Sequence, residues 1–293
     1  MSPWHQEFDD LMRAIAGAFL FGAPFLYTME VWWKGNFTSP ARMLFALVTA
    51  YVSLVALNLN GGFRARQPRT WARIFADSAE GLAIALVTAA LSLVLIGIIK
   101  FGEGLEAIMG RIVMEAVPFS IGVGIANNFL RMRPEEGGEG GGDGEGDSGG
   151  EGGGEDWGDN SWRGTLADAG ATLLGATIIA SSIAPTDEIP MIAGGLSSPG
   201  LLLLMGASLL LSYVIVFEAE LGAQTARIKQ PGIFQSPISE TLISYLLSLL
   251  IALLMMWLFQ LVRAEDPLSQ WVAYTIVLGF PATIGGAAGR LAL

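Results

Sequence analysis

The chain is divided near its middle by residues 134–161, which read PEEGGEGGGDGEGDSGGEGGGEDWGDNS. This stretch contains ten carboxylates, no lysine or arginine, and one large apolar side chain, that of Trp157. A segment of this composition cannot bury enough apolar surface to offset the entropy lost on ordering, so we expect a disordered linker. Without its ten charges the net charge of −11 falls to −1, and the acidity of the chain is therefore a property of the linker.

The sequence on either side of the linker has the composition of a membrane protein. Of the 293 residues, 52% are hydrophobic and 15% are charged, and the mean hydropathy is +0.53. The apolar residues form runs of the roughly 20 residues that a helix needs to cross a bilayer. There is no cysteine, which excludes disulfides, iron–sulfur clusters and thiol catalysis. The N-terminal residues are acidic, and we therefore expect no cleaved secretory signal.

Eight runs are predicted to be membrane-spanning helices, four on each side of the linker. They lie at residues 11–33, 40–59, 75–99, 112–130, 165–183, 199–217, 238–261 and 271–291. This order predicts an all-α polytopic membrane protein with three parts: a first four-helix repeat (1–133), the disordered linker (134–161) and a second four-helix repeat (162–293). Of the sixteen Lys and Arg residues, which lie outside the spans or near their ends, eleven are on the side of the N-terminus and five on the other. We therefore expect both termini and the linker to be cytoplasmic.

Matches between the halves indicate an internal duplication. Two copies with four spans each must point the same way, which predicts a pseudo-twofold axis along the membrane normal. One of the matches makes Glu80 equivalent to Glu240. Small residues at four-residue spacing recur in both halves, as is typical of closely packed helices. The matched segments are PFSIG (118–122) with PATIG (281–285), SAEGL (78–82) with ISETL (238–242), the Ser-Pro pairs at 39–40 and 198–199, and Ala14, Ala18 and Gly22 with Ala167, Ala171 and Gly175.

Two prolines, Pro118 and Pro281, lie inside predicted spans. A proline removes one helix hydrogen bond and bends the helix, so the simpler interpretation is a static kink. The alternative is an unwound segment that lines a site, as in transporters with broken helices. In that case the two prolines would be the kink or gate points of a path.

Carboxylates and amides are predicted at the cytoplasmic ends of several spans. A charge inside a membrane costs several kcal/mol and tends to mark a functional site. Together these oxygens would form a ring suited to hard cations. A glutamate at a helix entry also has a structural interpretation, as a group favoured by the helix dipole or paired with a loop arginine. The candidates are Glu80, Glu240, Glu218, Glu220, Asn58, Asn60, Asn127 and Asn128.

Glu30 is the candidate for the opposite, outer mouth of a path. It lies in TMEVWW (28–33), near the outer end of the first span, where the flanking aromatic side chains are expected to shield it. Asp187 and Glu188 follow the fifth span and are expected to face the same mouth. Glu115, within the fourth span, is expected either to join them or to extend outward to the interface.

Motifs for enzymatic chemistry are absent from the sequence. It contains no GxxxxGK[ST] and no HExxH. The single histidine, His5, lies outside the predicted spans, which rules out a histidine-based metal centre or triad. The acidic run at 143–147 begins like a calcium loop but lacks the glycine at the sixth position and the glutamate at the twelfth. We therefore expect neither enzyme activity nor a cofactor, while the identity of any metal is left open.

The segment FGAPFLYTMEVWW (21–33) resembles a family of bacterial integral membrane proteins, the domain of unknown function 2391 type. The similarity extends over both halves but not over the linker. The resemblance implies a location in the bacterial inner membrane and draws attention to the TMEVWW stretch. It adds nothing about a substrate.

These observations favour a cation channel or ion-coupled transporter with membrane-embedded carboxylates along the path. Glu30 would act at the outer mouth, and Glu80 and Glu240 at the inner one. One alternative is a carrier for a small organic solute, which predicts a midplane cavity. Another is a non-transporting scaffold or sensor that uses the acidic linker to bind a partner. The partners expected are membrane lipid, an inorganic cation and other copies of the chain in a homo-oligomer, but not nucleic acid.

Overall fold

The computed structural model describes the backbone of residues 3–60, 70–100, 102–131, 157–218 and 236–292, and the side chains of 4–59, 70–100, 102–126, 165–217 and 236–291. Every regular element in these ranges is a helix. They are α1 (Pro3–Leu26), α2 (Met29–Gly35), α3 (Pro40–Asn60), α4 (Trp71–Leu95), α5 (Leu105–Arg131), α6 (Trp157–Ile183), α7 (Glu188–Gly195), α8 (Ser198–Tyr213) with a π-helical turn (Val214–Glu218) after it, α9 (Pro237–Leu258) and α10 (Leu268–Ala292).

Seven of the described helices are long and apolar enough to cross a membrane, namely α3, α4, α5, α6, α8 with its π turn, α9 and α10. The bent pair α1–α2 meets the same criterion together, which gives eight spans if it is counted as one. The prediction of an all-α polytopic membrane protein is thereby confirmed. α2 and α7 lie together at one end of the bundle, where the Met29 N–H donates to the Glu188 carboxylate; we call it the short-helix end. The start of α1 lies at the other, the N-terminal end.

The first predicted span, 11–33, is wrong as a single helix. α1 ends at Leu26, and α2 begins at Met29 after a bend of 88°. Thr28 has an extended backbone (φ −112°, ψ 96°), which ends the helical run. Its hydroxyl donates to the carbonyl oxygen of Pro24 at 3.3 Å. Because the two helices together are still apolar enough for one span, hydropathy alone gives no sign of the bend.

Within each half, the first long helix packs most extensively on the last, α1 on α5 and α6 on α10. Both pairs approach through glycine. A Cβ atom at Gly17 would lie 2.6 Å from the Gly122 carbonyl oxygen, and one at Gly285 would lie 2.5 Å from the Gly175 carbonyl oxygen. The backbones of each pair are thus in direct contact, as expected for small-residue helix interfaces.

The halves have the same order of elements, a long helix, a short helix and three long helices. The Ser78 hydroxyl donates one turn back to the Ile74 carbonyl oxygen, as Thr241 does to Pro237. Nineteen residues after each hydroxyl, the helix ends in a positive φ, at Gly97 (73°) and at Gln260 (60°). This register would place Glu240 opposite Asp77, whereas the sequence match pairs it with Glu80, so the equivalence of the two glutamates stays a prediction. The duplication itself stays a prediction.

The predicted linker overlaps the start of a helix. α6 begins at Trp157, so helical backbone reaches back into the last residues of the 134–161 stretch. The preceding part of that stretch lies outside the described residues. The division into repeats at 1–133 and 162–293 therefore stays a prediction. The first helix of the second half begins at Trp157, before the predicted start of the second repeat.

The two prolines predicted as kink or gate points lie within continuous helices, Pro118 in α5 and Pro281 in α10. Proline has no N–H to donate four residues back, so Pro281 leaves the Val277 carbonyl oxygen without its helix partner. The Tyr27 hydroxyl donates to this oxygen at 2.7 Å. A side chain at the α1–α2 bend of the first half thus satisfies the carbonyl that a proline of the second half has freed, as a membrane interior requires.

Removing this hydroxyl tests its structural role. Tyr27→Phe leaves the buried Val277 carbonyl without that donor, and we expect the free energy of unfolding to fall by about 1–3 kcal/mol, measured as a lower thermal midpoint in detergent. Tyr51→Phe is the matched control, because the Tyr51 hydroxyl also donates to a carbonyl oxygen, that of Phe75 at 3.1 Å, but in an exposed position. We expect the control to change by less than about 0.5 kcal/mol. Equal losses in the two variants would contradict the assignment.

Candidate functional site

Glu115 is the most deeply enclosed acidic side chain among the described residues. It is 0% exposed, and neither of its carboxylate oxygens has a hydrogen-bond partner. It lies in α5, three residues before Pro118, on a helix that crosses the membrane. An ionised carboxylate without a partner in such a place costs several kcal/mol, so the position calls for a ligand that compensates its charge.

The neighbours of Glu115 on α5 show which part of the bundle it faces. Arg111 and Phe119 lie one turn to either side on the same stripe of the helix. A Cβ at Gly35 of α2 would lie 2.7 Å from the Arg111 Cα, and a Cβ at Gly22 of α1 would meet the Phe119 ring. Glu115 lies between these two contacts, which places it toward the break between α1 and α2. The predicted positions for Glu115, at the outer mouth or extended to the interface, are both wrong, because the side chain is enclosed.

Arg111 lies one turn nearer the short-helix end, but its guanidinium is held away from Glu115. Nη1 donates to the Glu103 carboxylate at 2.6 Å and to the Ile98 carbonyl oxygen at 2.5 Å. Nε donates to the Asn36 side-chain oxygen at the end of α2. The three acceptors belong to the α4–α5 connection and to α2. The cation nearest along α5 is therefore engaged at the short-helix end, and Glu115 is left without an ion pair.

The short-helix end also joins the two halves. Glu188, at the start of α7, is buried, and its Oε1 accepts a hydrogen bond from the Met29 backbone N–H at 3.1 Å. Met29 is the first residue of α2, so a carboxylate of the second half caps the short helix of the first. Glu30 and Asp187 are exposed. The structure thus brings Glu188 to the start of α2, and the predicted aromatic shielding of Glu30 is wrong because its side chain is exposed.

At the N-terminal end of the bundle, a buried arginine of the second half contacts several polar side chains. Arg290 is 2% exposed; its Nη2 lies 3.0 Å from Glu240 and 3.7 Å from Asp168. Its Nη1 donates to the Ser244 hydroxyl at 3.0 Å, and its guanidinium lies 5.9 Å from the centre of the Phe217 ring in the π turn. Glu240, predicted as a cation ligand, is therefore one partner of an ion pair.

The remaining predicted ligands do not meet as a ring among the described residues. Asn58 is buried and donates to the Ser78 hydroxyl at 2.8 Å, which ties α3 to α4. Glu80 is exposed on α4, whereas Glu240 lies on α9 in the other half. The described residues contain no group of three or more His, Cys, Asp or Glu that could hold a metal ion. The side chains of Asn60, Asn127, Asn128 and Glu218, and the whole of Glu220, lie outside the described residues.

An aromatic cluster fills the contact between the halves at the level of the two prolines. The Phe19 ring of α1 lies edge-on to Phe119 at 5.6 Å and to Phe280 at 6.0 Å between ring centres. Phe119 follows Pro118, and Phe280 precedes Pro281. All three rings are buried. In this conformation the centre of the interface is therefore closed by apolar packing.

Comparison with known proteins identifies a family but no more specific function. The family model described as "Putative integral membrane protein (DUF2391)" matches residues 10–293. No curated protein matches the chain, and no solved structure does. The resemblance noted at residues 21–33 thus extends over nearly the whole sequence.

Proposed function

The chain belongs to the DUF2391 family of integral membrane proteins, and from this premise we propose that it moves a cation across the membrane, as an ion-coupled transporter or a channel. The location that goes with this proposal is the bacterial inner membrane. The termini would be cytoplasmic, which makes the short-helix end the outer one. The proposal assigns no enzymatic step and no cofactor.

One observation carries the proposal, the enclosed Glu115 carboxyl group without a hydrogen-bond partner. Acidic residues inside membrane spans are rare and often mark ion pathways and proton relays; the Glu115 oxygens have no hydrogen-bond partner among the described residues. α5, which holds Glu115, packs on α1, α2, α3 and α4, so it is the central helix of the first half. A cation bound at Glu115 would therefore be surrounded by protein and not by lipid.

In this proposal the other predicted path residues of the first half lie above and below Glu115 along the path. Glu30 is exposed at the outer end. Asn58 is buried near the inner end, and Glu80 lies on the neighbouring helix at a similar level. Pro118 would allow α5 to bend between these levels, and Pro281 would do the same for α10. In the second half Glu240 is paired with Arg290, so we place the path in the first half.

The decisive measurement is cation flux in proteoliposomes, first with monovalent and then with divalent ions. We expect flux with the parent protein and a loss of at least about tenfold with Glu115→Gln, since an amide keeps the shape but cannot carry the charge that compensates the ion. Glu106→Gln is the matched control, because Glu106 lies on the same helix but is exposed in its first turn. We expect its flux to equal that of the parent.

One result would overturn the proposed function, and a second would overturn the role of Glu115 in it. The first is an absence of flux for every cation tested with folded parent protein, which would favour the organic-solute carrier or the scaffold. The second is flux that Glu115→Gln leaves unchanged, which would place the path elsewhere. Glu80→Gln with Glu240→Gln, tested together in the same assay, would then show whether the inner acids carry it.

A further inference from the structure

We propose that the ion bound at Glu115 is a proton and that the Arg111 guanidinium replaces it when the proton leaves. This inference rests on the proposed function, because it takes the proton as the transported or coupling ion.

The surroundings of Glu115 suit a proton better than a metal cation. A calcium ion takes six to eight oxygen ligands, and magnesium takes six in strict geometry. Glu115 offers two oxygens, and no other polar group of the described residues makes a hydrogen bond with them. The described residues also hold no acidic cluster of metal-binding size. A proton needs only one acceptor oxygen, to which it bonds covalently, and it neutralises the carboxylate without further ligands.

A carboxylate that has released its proton must find another positive charge, because the cost of a bare charge in the membrane interior is several kcal/mol. The helices packed on α5 offer few groups at this level. Glu30, Lys34 and Arg42 are exposed, and the buried Tyr27 hydroxyl donates to Val277. α4 has no ionisable residue between Glu80 and its end at Leu95, and Glu103, in the connection after it, holds Arg111. Arg111 is therefore the cation best placed to compensate the negative charge of Glu115.

The spacing allows Arg111 to reach Glu115. Residues four apart on a helix are neighbours, about 5–6 Å between Cβ atoms, and such pairs form ion pairs readily. The Arg111 side chain is largely enclosed, 11% exposed, so it does not have to leave water to turn inward. The two arrangements of the same side chain, outward on Glu103 and inward on Glu115, differ by a rotation within one helical turn. The structure shows the outward arrangement.

The inward turn would also release the short-helix end. Arg111 now ties together α2, through Asn36, and the α4–α5 connection, through Glu103 and the Ile98 carbonyl oxygen. Loss of the proton from Glu115 would withdraw this guanidinium and free those three acceptors at once. Proton release at the membrane centre is thereby linked to opening at the outer surface, and the positive charge on Arg111 keeps the emptied site from binding a second ion.

The test combines a direct view of the proton with a transport assay. Infrared difference spectra of the protein in liposomes, recorded between acidic and alkaline buffer, should contain a carboxylic-acid carbonyl band that Glu115→Gln lacks and that Glu115→Asp shifts. Glu106→Gln should keep the band. In the same liposomes, a pH-sensitive dye inside the vesicles should report proton entry with the parent. Arg111→Gln should lower that rate at least about tenfold, and Arg111→Lys should restore part of it.

The outcomes separate this inference from the proposed function. Cation flux that depends on Glu115 but moves no protons, with no carboxylic-acid band from Glu115, overturns the proton assignment and leaves the proposed function standing. A Glu115 band without flux of any ion keeps the proton site and overturns the proposed function. Equal proton entry with Arg111→Gln and the parent overturns the role of Arg111. The expected result is the band, the flux and the loss with Arg111→Gln together.

Discussion

Replacing Gly285 by leucine should prevent α10 from packing on α6 and leave little folded protein. A Cβ at this position would lie 2.5 Å from the Gly175 carbonyl oxygen and 2.6 Å from Ile179 Cγ1, so even the first atom of a side chain has no room. The obstacle is backbone, which cannot rotate away. Overpacking a core costs about 1–3 kcal/mol where side chains can adjust. Here we expect a loss above about 3 kcal/mol, a large part of the stability of an ordinary protein.

The measurement is the fraction of monodisperse protein after extraction in mild detergent, together with its thermal midpoint. Gly206→Leu is the matched control, since it makes the same substitution on α8, where nothing lies within 4 Å of a Cβ atom. We expect the control to extract and melt like the parent. Gly122→Leu, in the corresponding seam between α5 and α1, should fail as Gly285→Leu does. A Gly285→Leu protein that melts like the parent would show that the helices of this seam can separate without cost.

The sequence was sufficient for those features that composition and length control. Apolar runs such as 199–217 and 271–291 correspond to single helices because a span needs about 20 apolar residues and little else. The helix interfaces around Gly122 and Gly285 could also be predicted, because small residues at four-residue spacing in a membrane helix usually mark close helix packing. These features are local, and each follows from a short stretch of residues.

Features that depend on a partner distant in sequence could not be predicted in this way. The bend at Thr28 leaves the hydropathy unchanged, and Tyr27 finds its acceptor at Val277 in the other half. Glu115 was expected at the outer mouth or extended to the interface, because its sequence neighbours do not show which helices enclose its side chain. Glu240 was predicted to be an ion ligand, because its sequence neighbours do not indicate that Arg290 lies beside it in the fold. Ion pairs between spans require the packing order of the helices, which neither hydropathy nor spacing supplies.

Arg290→Ala should destabilise the second half strongly. The guanidinium is 2% exposed and joins Glu240 on α9 to Asp168 on α6. Its removal leaves two carboxylates near one another and opens a cavity in the seam. Breaking a buried pair costs about 3–5 kcal/mol. Because the side chains of Asp168 and Glu240 are 45% and 32% exposed, water screens part of this penalty, and we expect about 2–3 kcal/mol. The readout is the thermal midpoint in detergent, with exposed Arg263→Met as the control.

Glu240→Gln shows which role the acid has. In the ion-pair role, Glu240→Gln lowers the thermal midpoint by less than Arg290→Ala, because Asp168 and Ser244 still engage the arginine, and the flux per folded molecule stays that of the parent. In the ion-ligand role, Glu240→Gln melts like the parent but loses flux. The two roles therefore predict opposite results in the same pair of measurements. Since Arg290 already supplies the charge that compensates Glu240, whereas nothing described compensates Glu115, we expect the first result for Glu240 and the second for Glu115.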